Sequence, residues 1–119
     1  MIKIEVIKNG VVKVVIDGKL QAHDIETITP QIDNLIAQFG QIKVLVDARR
    51  FNGWINIAAF KYHINFIKSH YYNVGRLAVV MGSLWQRLTL VVVKMAIKKD
   101  IKTFKAKEFE KAYQWISKN

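Results

Sequence analysis

Cysteine is absent from the 119 residues, which removes disulfides, thiolate metal sites, thiol redox chemistry and a cysteine nucleophile at once. Proline occurs once, at Pro30, and Gly53 and Gly82 stand isolated, so the chain has neither a Pro-rich linker nor a Gly-rich phosphate loop. No apolar run approaches the roughly 18 residues of a membrane span. The opening residues alternate Ile and Val with Lys and Glu, without the apolar centre of a secretory signal, and a cytoplasmic protein is expected. Acids are scarce: nine against 19 Lys and Arg, for a net charge of +10.

What remains is ordinary globular material. Hydrophobic residues make up 51% and charged residues 24%, which suits one soluble domain and excludes a disordered or fibrous chain. A domain of this size buries roughly 65% of its unfolded surface. The charge is lopsided: residues 1–60 carry a net +1, and residues 61–119 a net +9. Lys94, Lys98, Lys99, Lys102, Lys105 and Lys107 fall close together, opposed only by Asp100. Such a segment attracts polyanions, whether anionic lipid, an acidic protein or nucleic acid; the plainer alternative is a solvated lysine face that keeps the protein soluble.

Hydrophobic periodicity outlines the elements. Ile2–Lys8 and Val11–Ile16 alternate at period two around Asn9-Gly10, the pair that best accommodates a type I′ hairpin turn. Asp17-Gly18 then reads as the end of the strand. Residues 22–39 place Ile25, Ile28, Ile32, Leu35, Ile36 and Phe39 on one helical face. Pro30 either kinks that helix or begins a fresh one capped by Thr29, and Gly40 closes it. Ile42–Asp47 is a nearly continuous apolar run, as in a strand covered on both faces. A loop follows, then a helix over Ile57–Tyr71 with Ile57, Phe60, Ile64, Ile67 and Tyr71 inward. Leu77–Gly82 is a second strand of the buried type. Leu84–Ile97 reads as a helix, Lys102–Phe104 as a short strand, and Glu108–Ser117 as a last helix with Phe109, Ala112, Tyr113 and Ile116 inward. This order, β-β-α-β-α-β-α-β-α, predicts a single α/β domain with a mainly parallel sheet, one antiparallel edge strand and about four helices.

Gly18-Lys19-Leu20, Asp24, Pro30, Leu45-Val46-Asp47, Phe51-Asn52-Gly53-Trp54, His70, Arg76-Leu77-Ala78-Val79-Val80, Trp85 and Ala112-Tyr113-Gln114-Trp115 occur in that order. The pattern resembles the SpoIIAA-like proteins of the STAS/CRAL-TRIO-like group over nearly the whole chain. The resemblance implies a small cytoplasmic bacterial STAS-like domain, with relatives that antagonise anti-sigma factors or serve as lipid-cavity and transporter-associated modules. Antagonists of the sporulation type carry a phosphorylatable serine at the start of the helix after the third strand. The corresponding stretch here is Asn56-Ile57-Ala58-Ala59, and the serines are Ser69, Ser83 and Ser117; the phospho-switch therefore is not expected to carry over.

Candidate sites follow from position. Asp47 to Trp54 lies at the C-terminal end of a buried strand, where open α/β sheets bind ligands. Arg49 and Arg50 beside a helix N-terminus suit a phosphate or carboxylate; alternatively Phe51 and Trp54 tack the loop to the core and both arginines are solvated. With His70, Arg76 and Trp85 from the family pattern, the candidate ligand-binding set is Arg49, Arg50, Trp54, His70, Arg76 and Trp85. His63 and His70 stand seven apart on one helix, about 10 Å along its axis, too far to share an ion, and His23 begins another helix. No metal site, cofactor or catalytic residue is expected, and no Gly-x-Ser-x-Gly elbow is present. His70 is predicted to pack or hydrogen-bond beside Tyr71 and Tyr72.

The stretch from Leu84 to Ile97 is apolar over roughly twice the arc that a surface helix needs. Leu90, Val93 and Ile97 widen it beyond one face, next to the anion-attracting Lys94, Lys98, Lys99 and Lys102. That combination suggests a subunit interface, a lipid cavity or a membrane-contacting face, unless neighbouring helices bury it twice. The expectation is a non-enzymatic STAS-like binding module, homodimeric through this surface, with a lipid-like or small anionic ligand or an acidic protein as partner. The alternative is a basic nucleic-acid-binding domain; against it, Lys43–Phe51 lacks the Gly-Phe-x-Phe pattern of an RNA-recognition strand and no Arg-rich recognition helix exists.

Overall fold

The computed structural model describes residues 1–82 and 101–118. The helix expected over 84–97, with Trp85, Leu90, Val93, Lys94 and Ile97, and the following Lys98 and Lys99, lies outside the described residues. The elements in order are β1 (Ile2–Lys8), β2 (Val11–Leu20), α1 (Ala22–Phe39), β3 (Ile42–Trp54), α2 (Ile57–His70), β4 (Val74–Met81), β5 (Lys102–Lys105) and α3 (Phe109–Ser117). The strands form one sheet in the order β1-β2-β3-β4-β5. β1 runs antiparallel to β2, and the other three pairings are parallel. This is the expected α/β domain with an antiparallel edge strand, and three of its helices are described. None of them is long and apolar enough to cross a membrane.

The hairpin turns at Gly10, whose φ of 76° is the left-handed conformation that a residue without Cβ adopts cheaply. Two strands run further than periodicity suggests. Asp17-Gly18 does not end β2: Asp17 pairs with Arg50, Gly18 with Phe51 and Leu20 with Trp54. Each of the two register shifts there inserts one extra residue into β3, and Gly18 at φ 76° takes up the local twist. β3 therefore absorbs the stretch expected to be a loop and delivers Trp54 still in the sheet. Pro30 neither breaks nor restarts α1, which is continuous from Ala22 to Phe39. Gly40, at φ 77°, closes it by donating its N–H to the Ile36 carbonyl at 2.7 Å.

Alternation along β3 and β4 feeds two cores. Val12, Val14, Ile16, Val44 and Val79 pack under Ile25, Ile28 and Ile32 of α1 and Ile64 of α2. On the other face Val11, Leu45, Ala78 and Val80 pack under Ala112 and Ile116 of α3. That double burial is why β3 reads as a continuous apolar run. Cations pin the C-terminal end of α3, where unpaired carbonyls carry the negative end of the helix dipole. Lys8 Nζ donates to the Ser117 carbonyl, Lys43 Nζ to that of Lys118, and Arg76 to those of Trp115 and Lys118. Ile57, counted with the inward stripe of α2, is 72% exposed at the helix start. Just ahead of it Asn56 caps the helix, its Oδ1 accepting the Ala59 N–H at 2.8 Å.

Two substitutions test these local devices by urea unfolding. A Cβ at Gly10 meets nothing closer than 3.7 Å, so Gly10→Val suffers from backbone conformation alone and is expected to lose about 1–2 kcal/mol. Asn56→Ala is expected to lose about 1 kcal/mol, most of it restored by Asn56→Ser. Unchanged midpoints would remove the turn and the cap respectively.

Candidate functional site

The described residues leave a gap in the layer between the sheet and helices α1 and α2. It encloses a cavity of ≈ 150 Å³, walled by Val14, Val44 and Val79 from the sheet, Ile28 and Ile32 from α1, and Ile67 from α2. An engineered apolar cavity of that volume stays dry and admits benzene. Among the described residues that line it, Trp54, His63, His70 and Tyr71 carry a polar side-chain atom, and none is a Lys, Arg, Asp or Glu.

Trp54 arrives at the cavity as the last residue of β3. Its indole stands edge-on to Phe51 and Phe60, with centroids 5.2 and 4.7 Å away. The indole Nε1–H donates to Nδ1 of His63 at 3.1 Å, bridging β3 to α2. Burial holds the His63 imidazole down, to a pKa of about 4, because the imidazolium would lose its hydration there. His63 is therefore neutral at pH 7.

His70 closes the other end of α2. Its Nε2 lies 2.8 Å from Asp33 Oδ1 on α1, and its Nδ1 lies 2.7 Å from the Phe66 carbonyl oxygen. The ring packs on Phe66 at 4.2 Å rather than on Tyr71 and Tyr72, which stack on each other at 4.4 Å. His70 thus ties the two helices together, with both ring nitrogens engaged.

Of the residues expected to bind a ligand, the structure brings Trp54 and His70 to this cavity. The arginines lie elsewhere. Arg49 forms a two-pronged bond to Asp47, Nε to Oδ1 at 2.8 Å and NH2 to Oδ2 at 2.7 Å, and lies over the Phe109 ring at 4.3 Å on the α3 face. The guanidinium holds the Asp47 carboxyl below its ordinary range. Arg50 reaches Asp17 at 3.4 Å on the surface. Arg76 is spent on the end of α3 and on the Trp115 ring. Lys102 has its ammonium 5.1 Å from the Trp115 ring centre and 5.7 Å from that of Phe104. Sequence reading missed His63 as a site residue, weighing it only as a metal ligand. Its spacing from Phe60 and Ile67 places it on the inward stripe of α2, and that was the available signal.

A family model described as SpoIIAA-like matches residues 11–117. In fold the chain is similar to an uncharacterized protein with a SpoIIAA-like fold from Shewanella loihica, at a TM-score of 0.75 and 19% identity, covering 98% of this chain and 92% of that one. It is also similar to the anti-sigma factor antagonist SpoIIAA in its unphosphorylated form, at 0.61 and 15%, covering 99% and 100%. The Bacillus cell fate determinant SpoIIAA in its phosphorylated form gives 0.57 and 15%, covering 97% and 99%. No curated protein matches the chain in sequence.

The buried imidazole generates a pH prediction. Its folded pKa of about 4 lies below the ordinary 6.5, so between those values the unfolded chain binds a proton that the folded chain excludes. Stability is complete above pH 6.5 and falls as the pH drops toward 4, by up to about 3 kcal/mol from this group. His63→Gln keeps an acceptor for Trp54 but cannot titrate, and its unfolding free energy should vary less with pH across that window. Parallel slopes for the two proteins would show that His63 titrates normally.

Proposed function

The chain belongs to the SpoIIAA-like family, and from that premise we propose that it is a non-catalytic STAS-like binding module whose ligand is a small, lipid-like apolar molecule held between the sheet and helices α1 and α2. The observation that carries this reading is the cavity itself: ≈ 150 Å³, with a wall that is almost wholly hydrocarbon among the described residues. Filling it with side chains would gain dispersion and transfer energy, so an unfilled volume in so apolar a layer suits a guest. Burying a benzene-sized group there would contribute about 4–5 kcal/mol, a Kd on the order of 0.1–1 mM for the group alone. Contacts made by the rest of a longer ligand would add to this.

Two features of the chain narrow the reading. Residues 51–60 contain no Ser, Thr or Tyr, so a phosphorylation switch at the start of α2 has no acceptor. The cations Lys13, Arg49, Arg76 and Lys102 each lie over an aromatic ring of the α3 face, and none lines the cavity. Attraction of polyanions by the basic half would thus be a separate property from filling the cavity.

The test is occlusion. Val44 lines the cavity, and Val44→Phe places a ring in it. Wild-type protein is expected to bind isopropylbenzene, followed by shifts of the methyl resonances of Ile28, Ile32 and Ile67. Val44→Phe should melt no lower and lose those shifts. Saturable binding that survives Val44→Phe, or no binding by the wild type, would overturn the reading.

A further inference from the structure

Strand β1 stands at the edge of the sheet, and among the described residues no strand pairs with its outer side. The ladder shows which backbone groups face outward. Met1 N donates to the Asp17 carbonyl at 2.8 Å and Asp17 N to the Met1 carbonyl at 2.9 Å. Such doubly bonded pairs alternate with unbonded ones along an antiparallel ladder, and Lys3 stands opposite Val15 and Glu5 opposite Lys13. Lys3 and Glu5 therefore bond to β2 as Met1 does, while the N–H and C=O groups of Ile2, Ile4 and Val6 point away from the sheet. A bulge at Ile7, between the pairs made by Val6 and Lys8, ends this regular edge, and Lys8 is tied to the Ser117 carbonyl. The open row thus runs from Ile2 to Val6, with Ile4 at its centre.

We propose that this edge is the interface of a homodimer, in which two copies of the chain pair their β1 strands antiparallel about a two-fold axis at Ile4. An open edge is a template for another strand, and β1 is complementary to its own reverse. About that axis each Ile4 exchanges both backbone bonds with the other, and Ile2 does so with Val6 of the second copy. Val6, 61% exposed in the single chain, then lies against an Ile2 that packs on the core beneath α1. On the opposite face Lys3 meets Glu5 of the second copy, at unbonded positions where side chains approach most closely. Glu5 already has Lys13 of β2 at 3.3 Å, so the pairing sets each Glu5 between two lysines across the strands. The neighbouring registers that keep the backbone groups paired bring Lys3 against Lys3 or Glu5 against Glu5, and like charges directly opposite are destabilising. Charge therefore selects the register, while backbone bonds and the apolar pairs carry the association. β1 lies apart in sequence from the apolar stretch 84–97, and the pairing requires no ligand in the cavity.

Sedimentation equilibrium of the tag-free protein supplies the test. The wild type is expected to dimerise with a Kd on the order of 0.1 mM, the weak end appropriate to a small interface. Val6→Pro removes an outward N–H without touching the bonds to β2, and should sediment as a folded monomer up to about 0.5 mM. Lys3→Glu and Glu5→Lys each set like charges across the axis and should weaken dimerisation about tenfold. An equimolar mixture of these two variants opposes unlike charges again and should recover the wild-type affinity, which damage to the fold would not allow. In the wild type, hydrogen-exchange protection of the Ile4 amide should rise with protein concentration while that of Glu5 stays constant. A wild type that remains monomeric over the same range, a dimer that survives Val6→Pro, or charge variants that fail to complement each other would each overturn the pairing.

Discussion

An indole N–H placed in a hydrocarbon layer must find an acceptor, and the way this fold meets that demand at Trp54 governs the rest of the site. The ring is held edge-on by Phe51 and Phe60, so it cannot swing its nitrogen out to water without losing both contacts. The acceptor comes from His63 on the next helix. This single bond joins the end of β3 to α2 and sets the tautomer of a histidine on the cavity wall, while burial suppresses the charging of that ring. Leaving the donor unpaired would cost the desolvation penalty of a buried polar group, about 1–3 kcal/mol.

The sheet keeps its two faces chemically apart. Toward α1 and α2 the described side chains are aliphatic or aromatic, and few of them carry polar atoms. Toward α3 the cations gather, and they are held within the molecule: Arg49 by the buried carboxylate of Asp47 and the Phe109 ring, Arg76 and Lys43 by the carbonyls that end α3. Desolvation, together with the neighbouring Arg76 and Lys8, pushes the Lys43 ammonium down from its ordinary pKa. A nine-residue helix thus covers its face partly by burying Ala112 and Ile116 and partly by accepting charge at its C-terminal end. Positive charge counted along the chain consequently overstates what is free to meet a partner.

Much of the fold was legible because period-two and period-3.6 patterns report burial directly. The antiparallel edge strand followed from Asn9-Gly10, the double-sided burial of β3 from Ile42–Asp47, and the stop of α1 from Gly40. The misjudged boundaries have one cause. Asp17-Gly18 and Arg49–Trp54 look like strand breakers and loop when read alone, but a neighbouring strand pairs with each, and bulges absorb the residues that spoil the period. Propensity acts locally, whereas ladder hydrogen bonds are settled between segments some thirty residues apart. Pro30 is a similar case: its conflict with the helical ladder is local, and the buried stripe of Ile25, Ile28 and Ile32 outweighs it.

The site divides along the same line. Composition by itself excluded thiol chemistry, and the sequence at Asn56–Ala59 excluded a hydroxyl switch at the start of α2, because those statements concern which atoms exist. It also marked Trp54 and His70 as residues of interest. Only the tertiary structure decided that these two share a cavity while Arg49, Arg50 and Arg76 point to other partners, since successive residues of a strand face opposite sides of a sheet and a bulge resets the alternation. Only it revealed His63, whose significance lies in a 3.1 Å contact with an indole nine residues away. A hydrogen bond depends on the relative placement of two atoms, and the packing of β3 against α2 creates that placement.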